Sequence, residues 1–310
     1  MSTLGPSNEQ WRPLLAPWYR IVPDGDRLLL EHAESVIAFD GAAVRAFLPA
    51  LLPLLDGTRG IDAIVEELGE PVREAVGHAL DLLTRSGLLV DGPPADPSAQ
   101  ALAAVLGLSP NVVRSRLQAA SVAVVGSGGE QVARIFHTSG VGGVAPFDGS
   151  RDVGLVVAFA EHGGQVALNG INEFCVAHDV ALLPVQPFNG RHALVGPLVL
   201  PGKSACLECV RLRRAANLPY ESDFALIDSV SPAVTSDPGL QATVIGLAAH
   251  LGLRWLAARD ALLPGVLFAL AVSPRVTVSE HNVIRVPRCP VCSDAHRTAS
   301  PLPWHAAEAV

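Results

Sequence analysis

Two cysteine pairs constrain this chain more than any other feature: Cys206-Leu-Glu-Cys209 and Cys289-Pro-Val-Cys292. A C-x-x-C spacing lets two thiolates reach one ion from a tight turn, and two such turns complete a tetrahedral sulfur shell. Residues 210–288 lie between the pairs, so this is no zinc finger but a clasp joining distant parts of a domain. The competing readings are two redox motifs or four unrelated core thiols. A redox C-x-x-C opens a helix after a strand, which suits Cys206 loosely but not Cys289, preceded by Pro287-Arg288 near the chain end. Cys206, Cys209, Cys289 and Cys292 are therefore the candidate ligands of a structural zinc ion, with no position left open to activate water. The fifth cysteine, Cys175, falls within the helical stretch Ile171 to His178 and reads as an inert buried thiol.

A chain of 310 residues is long enough for two or three domains without disulfide staples. Its apolar content of 49 % against 17 % charged residues excludes a disordered chain and a coiled coil. The longest apolar stretch, Ala242 to Ala258, is broken by His250 and Arg254, so no membrane span is expected. Met1 to Gly5 shows no basic flank before an apolar run; no secretory signal is expected, and a cytoplasmic location is the default. The net charge of −8 argues against a general nucleic-acid binder. The basic cluster Arg211, Arg213 and Arg214 reads as a solvated helix face.

Residues 1–90 read as one small unit. Short strands are expected at Trp18 to Val22, Arg27 to Glu31 and Ser35 to Phe39, and helices at Ala42 to Leu55, Thr58 to Leu68 and Pro71 to Ser86. Leu88 to Val90 would add a wing, giving a winged-helix arrangement. Asp91 to Pro97 carries three prolines and reads as a linker, with helical pieces filling the rest of 91–120.

From residue 121 to 310 the pattern is α/β. Ser121 to Val125 is a buried strand running into Gly126-Ser-Gly-Gly129 and a helix, Glu130 to Thr138, the order of a nucleotide-binding unit. Gln131 replaces the third glycine of a G-x-G-x-x-G turn, and Asp148 is the candidate for the acidic residue after the second strand. The turn therefore reads as a tight connection kept for packing. Gly196 to Ser204 resembles a phosphate loop only superficially, because five residues separate its glycines and Pro197 and Pro201 remove amide donors; it reads as a turn delivering the chain to the metal. Further strands are expected at Asp152 to Phe159, Val180 to Pro184, His192 to Leu200, Pro264 to Val272 and Arg275 to Val286. Helices are expected at Gly170 to His178, Ala205 to Ala216 and Pro238 to Arg259.

The small amino-terminal unit, the strand entering Gly126 to Gly129 and the paired Cys206/Cys209 and Cys289/Cys292 motifs together resemble the E1-related, ThiF-like superfamily. More narrowly, the chain is similar to the ThiF-like leader-peptide-binding partner proteins of YcaO cyclodehydratases, which serve the biosynthesis of thiazole- and oxazole-modified peptides, including thiopeptides. The resemblance covers about Trp11 to His305. It implies an amino-terminal winged-helix precursor-peptide recognition element that takes the leader as an added strand, followed by a degenerate Rossmann-like domain with a four-cysteine zinc site. Carried over, the peptide-binding edge is Ser35, Val36, Ile37, Ala38 and Phe39. The third helix, Val72 to Arg85, contributes Val72, Arg73, Val76 and Leu83, with Val36, Phe39, Val76 and Leu83 forming the groove floor.

Adenylating members of the superfamily carry a third glycine, an arginine-bearing segment after the second strand and a downstream lysine around ATP and magnesium. Here Gln131 stands at the glycine, only Gly149-Ser-Arg151 separates Asp148 from the next strand, and the chain's single lysine, Lys203, lies elsewhere. Without those charges a triphosphate lacks its electrostatic clamp, so no ATP and no catalytic residue are expected. The resemblance implies a non-catalytic subunit that binds a precursor leader and presents Cys, Ser and Thr to a separate YcaO enzyme, with neither nucleic acid nor membrane as partner. A homodimer is common around this superfamily's α/β core. The alternative is an ATP-dependent adenylating enzyme acting on a peptide or carrier protein; a winged-helix DNA regulator is disfavoured by Glu74 and Asp81 beside Arg73 and Arg85.

Overall fold

The computed structural model describes residues 11–293 apart from 26, 161–164, 187, 219–222, 225 and 227–235. The chain forms two compact units, divided between Arg116 and Leu117.

In the first unit, β2 (Arg20–Asp24), β3 (Arg27–His32) and β4 (Ser35–Asp40) make a three-stranded antiparallel meander in the order β2-β3-β4. The first of these strands starts later than Trp18, because Ala16 to Tyr19 is taken up by a turn closed by the Tyr19 N–H on the Ala16 carbonyl. The β3–β4 hairpin turns through Ala33, which adopts a left-handed φ of 52°. Helices α1 (Ala42–Leu51), α2 (Ile61–Leu68) and α3 (Arg73–Arg85) follow. The expected first helix is shorter than Leu55: at Pro53 it gives way to a 3-10 turn, Leu52–Leu54. Leu30 from the sheet meets Leu51, Ile64, Val65, Val76, Leu80 and Leu83 in one apolar core. Leu88 closes it, and β5 (Leu89–Asp91) pairs antiparallel with β1 (Pro13–Leu15), a strand the local pattern did not announce. Two further helices, α4 (Pro97–Leu106), capped by the Asp96 carboxylate, and α5 (Pro110–Gln118), lead onward.

The second unit is a seven-stranded sheet in the order β12-β11-β10-β9-β8-β6-β7. Strands β6 (Ser121–Val125), β7 (Gly143–Pro146), β8 (Leu155–Phe159) and β9 (Leu182–Gln186) run parallel; β10 (His192–Val195), β11 (Val266–Ala271) and β12 (Thr277–Asn282) extend it antiparallel. Every residue of β8 and β9 is buried, the apolar run of a parallel strand covered on both faces. Helices α6 (Gly129–Thr138), α7 (Gln165–Ala177) and α8 (Leu207–Ala216) lie between strands in the chain. Helix α9 (Pro238–Ala258) begins at the Asp237 carboxylate, which accepts from the N–H groups of Gly239 and Leu240, and packs on α6 and β8 to β10. Gly252 permits the approach to α6, since a Cβ there would sit 2.8 Å from the Phe136 ring. The connection from β7 to β8 holds no helix. No helix among the described residues is long and apolar enough to cross a membrane.

Candidate functional site

The four paired cysteines converge. Cys206 stands at the N-cap of α8 and Cys209 in its first turn. The preceding chain is bent by a turn at Leu200 to Ser204, with Gly202 at φ 72° and the Ser204 hydroxyl accepting from the Leu200 N–H at 2.7 Å. Buried Asn172 on α7 accepts from the Leu207 N–H at 3.0 Å and fixes the start of the helix. The second pair lies in tight turns after β12: the Cys289 N–H donates to the Val286 carbonyl at 3.0 Å, and the Ser293 N–H to the Cys289 carbonyl at 3.1 Å.

All four Sγ atoms lie within 4.8 Å of one another, and all four residues are buried. Neighbouring sulfurs are 3.9 Å apart between Cys206 and Cys209, 3.7 Å between Cys206 and Cys289, and 3.5 Å between Cys209 and Cys292. A disulfide needs about 2.05 Å, whereas metal–sulfur bonds of about 2.3 Å in a tetrahedron put the sulfurs about 3.8 Å apart. The geometry fits one metal ion with a full sulfur shell. Hydrogen bonds from the Cys206 thiol and from the Val286 N–H, at 3.3 Å, draw the Cys209 thiol down to about 5. Cys206 shifts upward through its hydrogen bond to Cys209 and through burial, and burial pushes Cys289 up to about 11. Cys175, buried in the same core cluster, is raised by burial to about 12 and is no nucleophile.

The arginines of α8 are not merely a solvated face. Arg211 pairs with Glu208 at 2.7 Å. Arg214 donates to Gln186 at 3.2 Å and lies over the Phe224 ring. Arg213 donates to the carbonyls of Ile284, at 2.6 Å, and Arg285, at 3.4 Å. Arg285 in turn donates to the Gly202 carbonyl at 2.7 Å and to the carbonyl of Cys292. Sequence reasoning missed Arg285 and Asn172, because nothing in their local spacing announces a contact some 30 to 80 positions away.

The glycine turn is packed closely by Phe159 on the side where a Cβ would stand. Gly126 has φ 90°, and a Cβ on it would fall 1.9 Å from the Phe159 carbonyl oxygen. A Cβ on Gly128 would meet the Phe159 ring at 2.5 Å. Phe159 ends β8, so its backbone and ring press on the turn at the carboxyl end of the sheet, where α/β folds place ligands. Gln131 is exposed on α6, and Asp148 accepts from the Ser150 N–H at 2.8 Å within its own turn.

In the first unit, β4 pairs with β3 and with no other described strand, leaving one edge open. Ser35, Val36 and Ala38 are exposed, Val36 by 58 %, while Ile37 and Phe39 are half-buried against the core. Of the expected groove-floor residues, Val76 and Leu83 are fully buried on the core-facing stripe of α3. Val72 is half-buried, and Arg73 is held by Glu70 at 2.6 Å and Asp62 at 2.8 Å. Arg85 lies 3.8 Å from Asp81, so both arginines of α3 have an acidic neighbour.

No family model matches the chain. No curated protein matches it either. Among solved structures it is similar to a heterocyclase in complex with substrate and cofactor, with TM-score 0.74 and 22 % identity over 94 % of this chain and 41 % of that one. The heterocyclase TruD gives TM-score 0.75 and 21 % identity over 94 % of this chain and 45 % of its own length. The chain thus spans less than half of either heterocyclase. MccB from E. coli, in a structure with ATP, gives TM-score 0.61 and 16 % identity over 91 % of this chain and 99 % of MccB. At these identities the likeness is one of fold: the chain shares an α/β fold with these heterocyclases and with MccB.

Proposed function

We propose that this chain is a non-catalytic leader-binding protein that captures a ribosomally made precursor peptide and presents its Cys, Ser and Thr residues to a separate YcaO cyclodehydratase, which closes them to azolines. The observation that carries this reading is the open edge of β4, whose outward N–H and C=O groups can pair with an added peptide strand while Val36 and its neighbours select side chains. The first unit, a small sheet followed by three helices, is read as a winged-helix recognition element, with Ser35, Val36, Ile37, Ala38 and Phe39 as the pairing edge and Val72 and Arg73 beside it. The fold shared with two heterocyclases supports the choice of a ring-forming partner. Tethering the leader makes later encounters of the core peptide intramolecular, which raises effective concentration to roughly the millimolar range. This chain's residues then bind and orient; they break no bond.

The second unit is read as a degenerate nucleotide fold. Phe159 packs against Gly126 and Gly128 where side chains would otherwise stand, which accounts for the glycines by packing, and no lysine or arginine segment replaces the missing clamp. The ion held by Cys206, Cys209, Cys289 and Cys292 is read as zinc in an architectural role: four thiolates fill its shell and tie α8 to the segment after β12.

The test is a polarisation titration of the full chain with fluorescein-labelled leader peptides drawn from a precursor library, beside an assay of magnesium-dependent ATP–pyrophosphate exchange. Saturable peptide binding without exchange is the expected result. Exchange by the purified chain would replace this reading with the adenylating one, which the near-complete overlap with MccB keeps in view.

A further inference from the structure

The two cysteine turns come from segments 83 positions apart, and something other than the ion must hold them in register. Two arginines do this. Arg213, on the helix that carries Cys209, donates to the carbonyls of Ile284 and Arg285. The half-buried guanidinium of Arg285 then forks, one nitrogen on the Gly202 carbonyl ahead of Cys206 and the other on the carbonyl of Cys292 itself. The next residue, Val286, turns its N–H onto Cys209 Sγ. One three-residue segment, 284–286, therefore touches both cysteine pairs through side chain and backbone.

We infer that Arg285 is the positioning residue of the metal centre: it ties the Cys206/Cys209 turn to the Cys289/Cys292 turn and sets a fixed positive charge beside a sulfur cluster that is anionic once loaded. The inference rests on the reading of the four cysteines as a metal site. A divalent ion with four thiolates carries a net charge of about −2, and partners outside the ligand shell that orient ligands typically change metal affinity by about 10- to 100-fold. The planar guanidinium holds two nitrogens apart in a rigid fork, one for each carbonyl, whereas the three N–H donors of a lysine radiate from one nitrogen and do not reproduce that span. Arg288, adjacent to Cys289 and exposed, is the natural control, because it shares the charge without the described contacts.

The experiment loads the full-length chain with zinc, measures bound metal by atomic emission, and follows zinc release to an excess of colorimetric chelator. Arg285→Met and Arg285→Lys are expected to release zinc at least tenfold faster than the parent, and Arg288→Met at the parental rate. Circular dichroism of each loaded variant checks the fold, and Arg285→Lys serves where Arg285→Met does not fold. Parental release rates in Arg285→Met or Arg285→Lys, or equally fast release in Arg288→Met, overturn the inference while leaving the metal site standing. A parent chain that takes up no zinc overturns the metal reading itself.

Discussion

The strand edge of the first unit and the sulfur cluster of the second stand at opposite extremes of how a protein prepares a site. At β4 the backbone pairs with no second described strand and Val36 is exposed, so the polar groups of that edge are available to a partner. At the cysteines everything is enclosed: four buried sulfurs, a backbone N–H on Cys209 and an arginine fork across the turns. An open edge recognises by hydrogen bonds common to any extended peptide and can release what it holds. A closed sulfur shell selects by ligand chemistry and keeps its occupant. On the proposed reading one site binds reversibly and the other is permanent construction, and variants can test each apart from the other.

The largest expected effect is on the closed side. Cys289→Ser should abolish stoichiometric zinc uptake and lower the chemical denaturation midpoint more than any other change here, since structural zinc binding is worth on the order of 10 kcal/mol. Peptide affinity at β4 should survive wherever the first unit remains folded, as polarisation titration would report.

Next comes the open side. Successive residues of an edge strand alternate between facing the ladder and facing out, so only one of Val36→Pro and Ile37→Pro removes an outward donor. That variant should keep the parental circular dichroism spectrum and lose about 100-fold in peptide affinity, or about 2.7 kcal/mol. Unchanged affinity in both would rule out β4 as the docking edge.

Gly126→Ala sharpens the contrast from a third position. Its Cβ would strike the Phe159 carbonyl at a positive φ, so a stability loss of at least about 1–3 kcal/mol is expected. Peptide binding should be untouched. A change in ATP affinity without loss of stability would instead mean that the turn serves a nucleotide.

Smaller effects follow from protonation. Metal ligands bind as thiolates, so protons compete. Burial holds Cys289 up at about 11, protonated at neutral pH, whereas Cys209, drawn down to about 5, is already a thiolate there. Zinc uptake at pH 7 should therefore release protons from both Cys206, which is shifted upward, and Cys289, and apparent affinity should fall about tenfold per pH unit lowered for each such proton. Cys209 joins the competition only below about pH 5. Isothermal titration in buffers of different ionisation enthalpy counts the protons. Smallest of all, Cys175, at about 12 and buried, should resist a thiol reagent in the folded zinc-loaded chain at pH 8 and react after denaturation.

Much of this was legible in the chain. The apolar run Ser121 to Val125 is β6 as read, because a parallel strand buried on both faces needs no partner to declare itself. The two C-x-x-C turns announced their chemistry through spacing alone. Less legible were the elements whose identity depends on distant partners. Leu89 to Asp91 became a strand through Pro13 to Leu15, more than 70 positions away. Val76 and Leu83, assigned to a groove floor only by the family resemblance, pack in the core with Leu30, Ile64 and Val65.

By itself, then, the sequence determined residue chemistry and local period: which thiols can ligate an ion, which glycine turn lacks its charged partners, where strands and helices alternate. Tertiary structure decided which groups meet. Phe159 packs against the glycine turn because parallel pairing brings the end of β8 beside the end of β6. Arg285 spans the two cysteine turns because the segment after β12 folds back on α8. Local propensity falls off within a few residues, whereas burial and hydrogen bonding are satisfied between whatever surfaces the packed chain brings together.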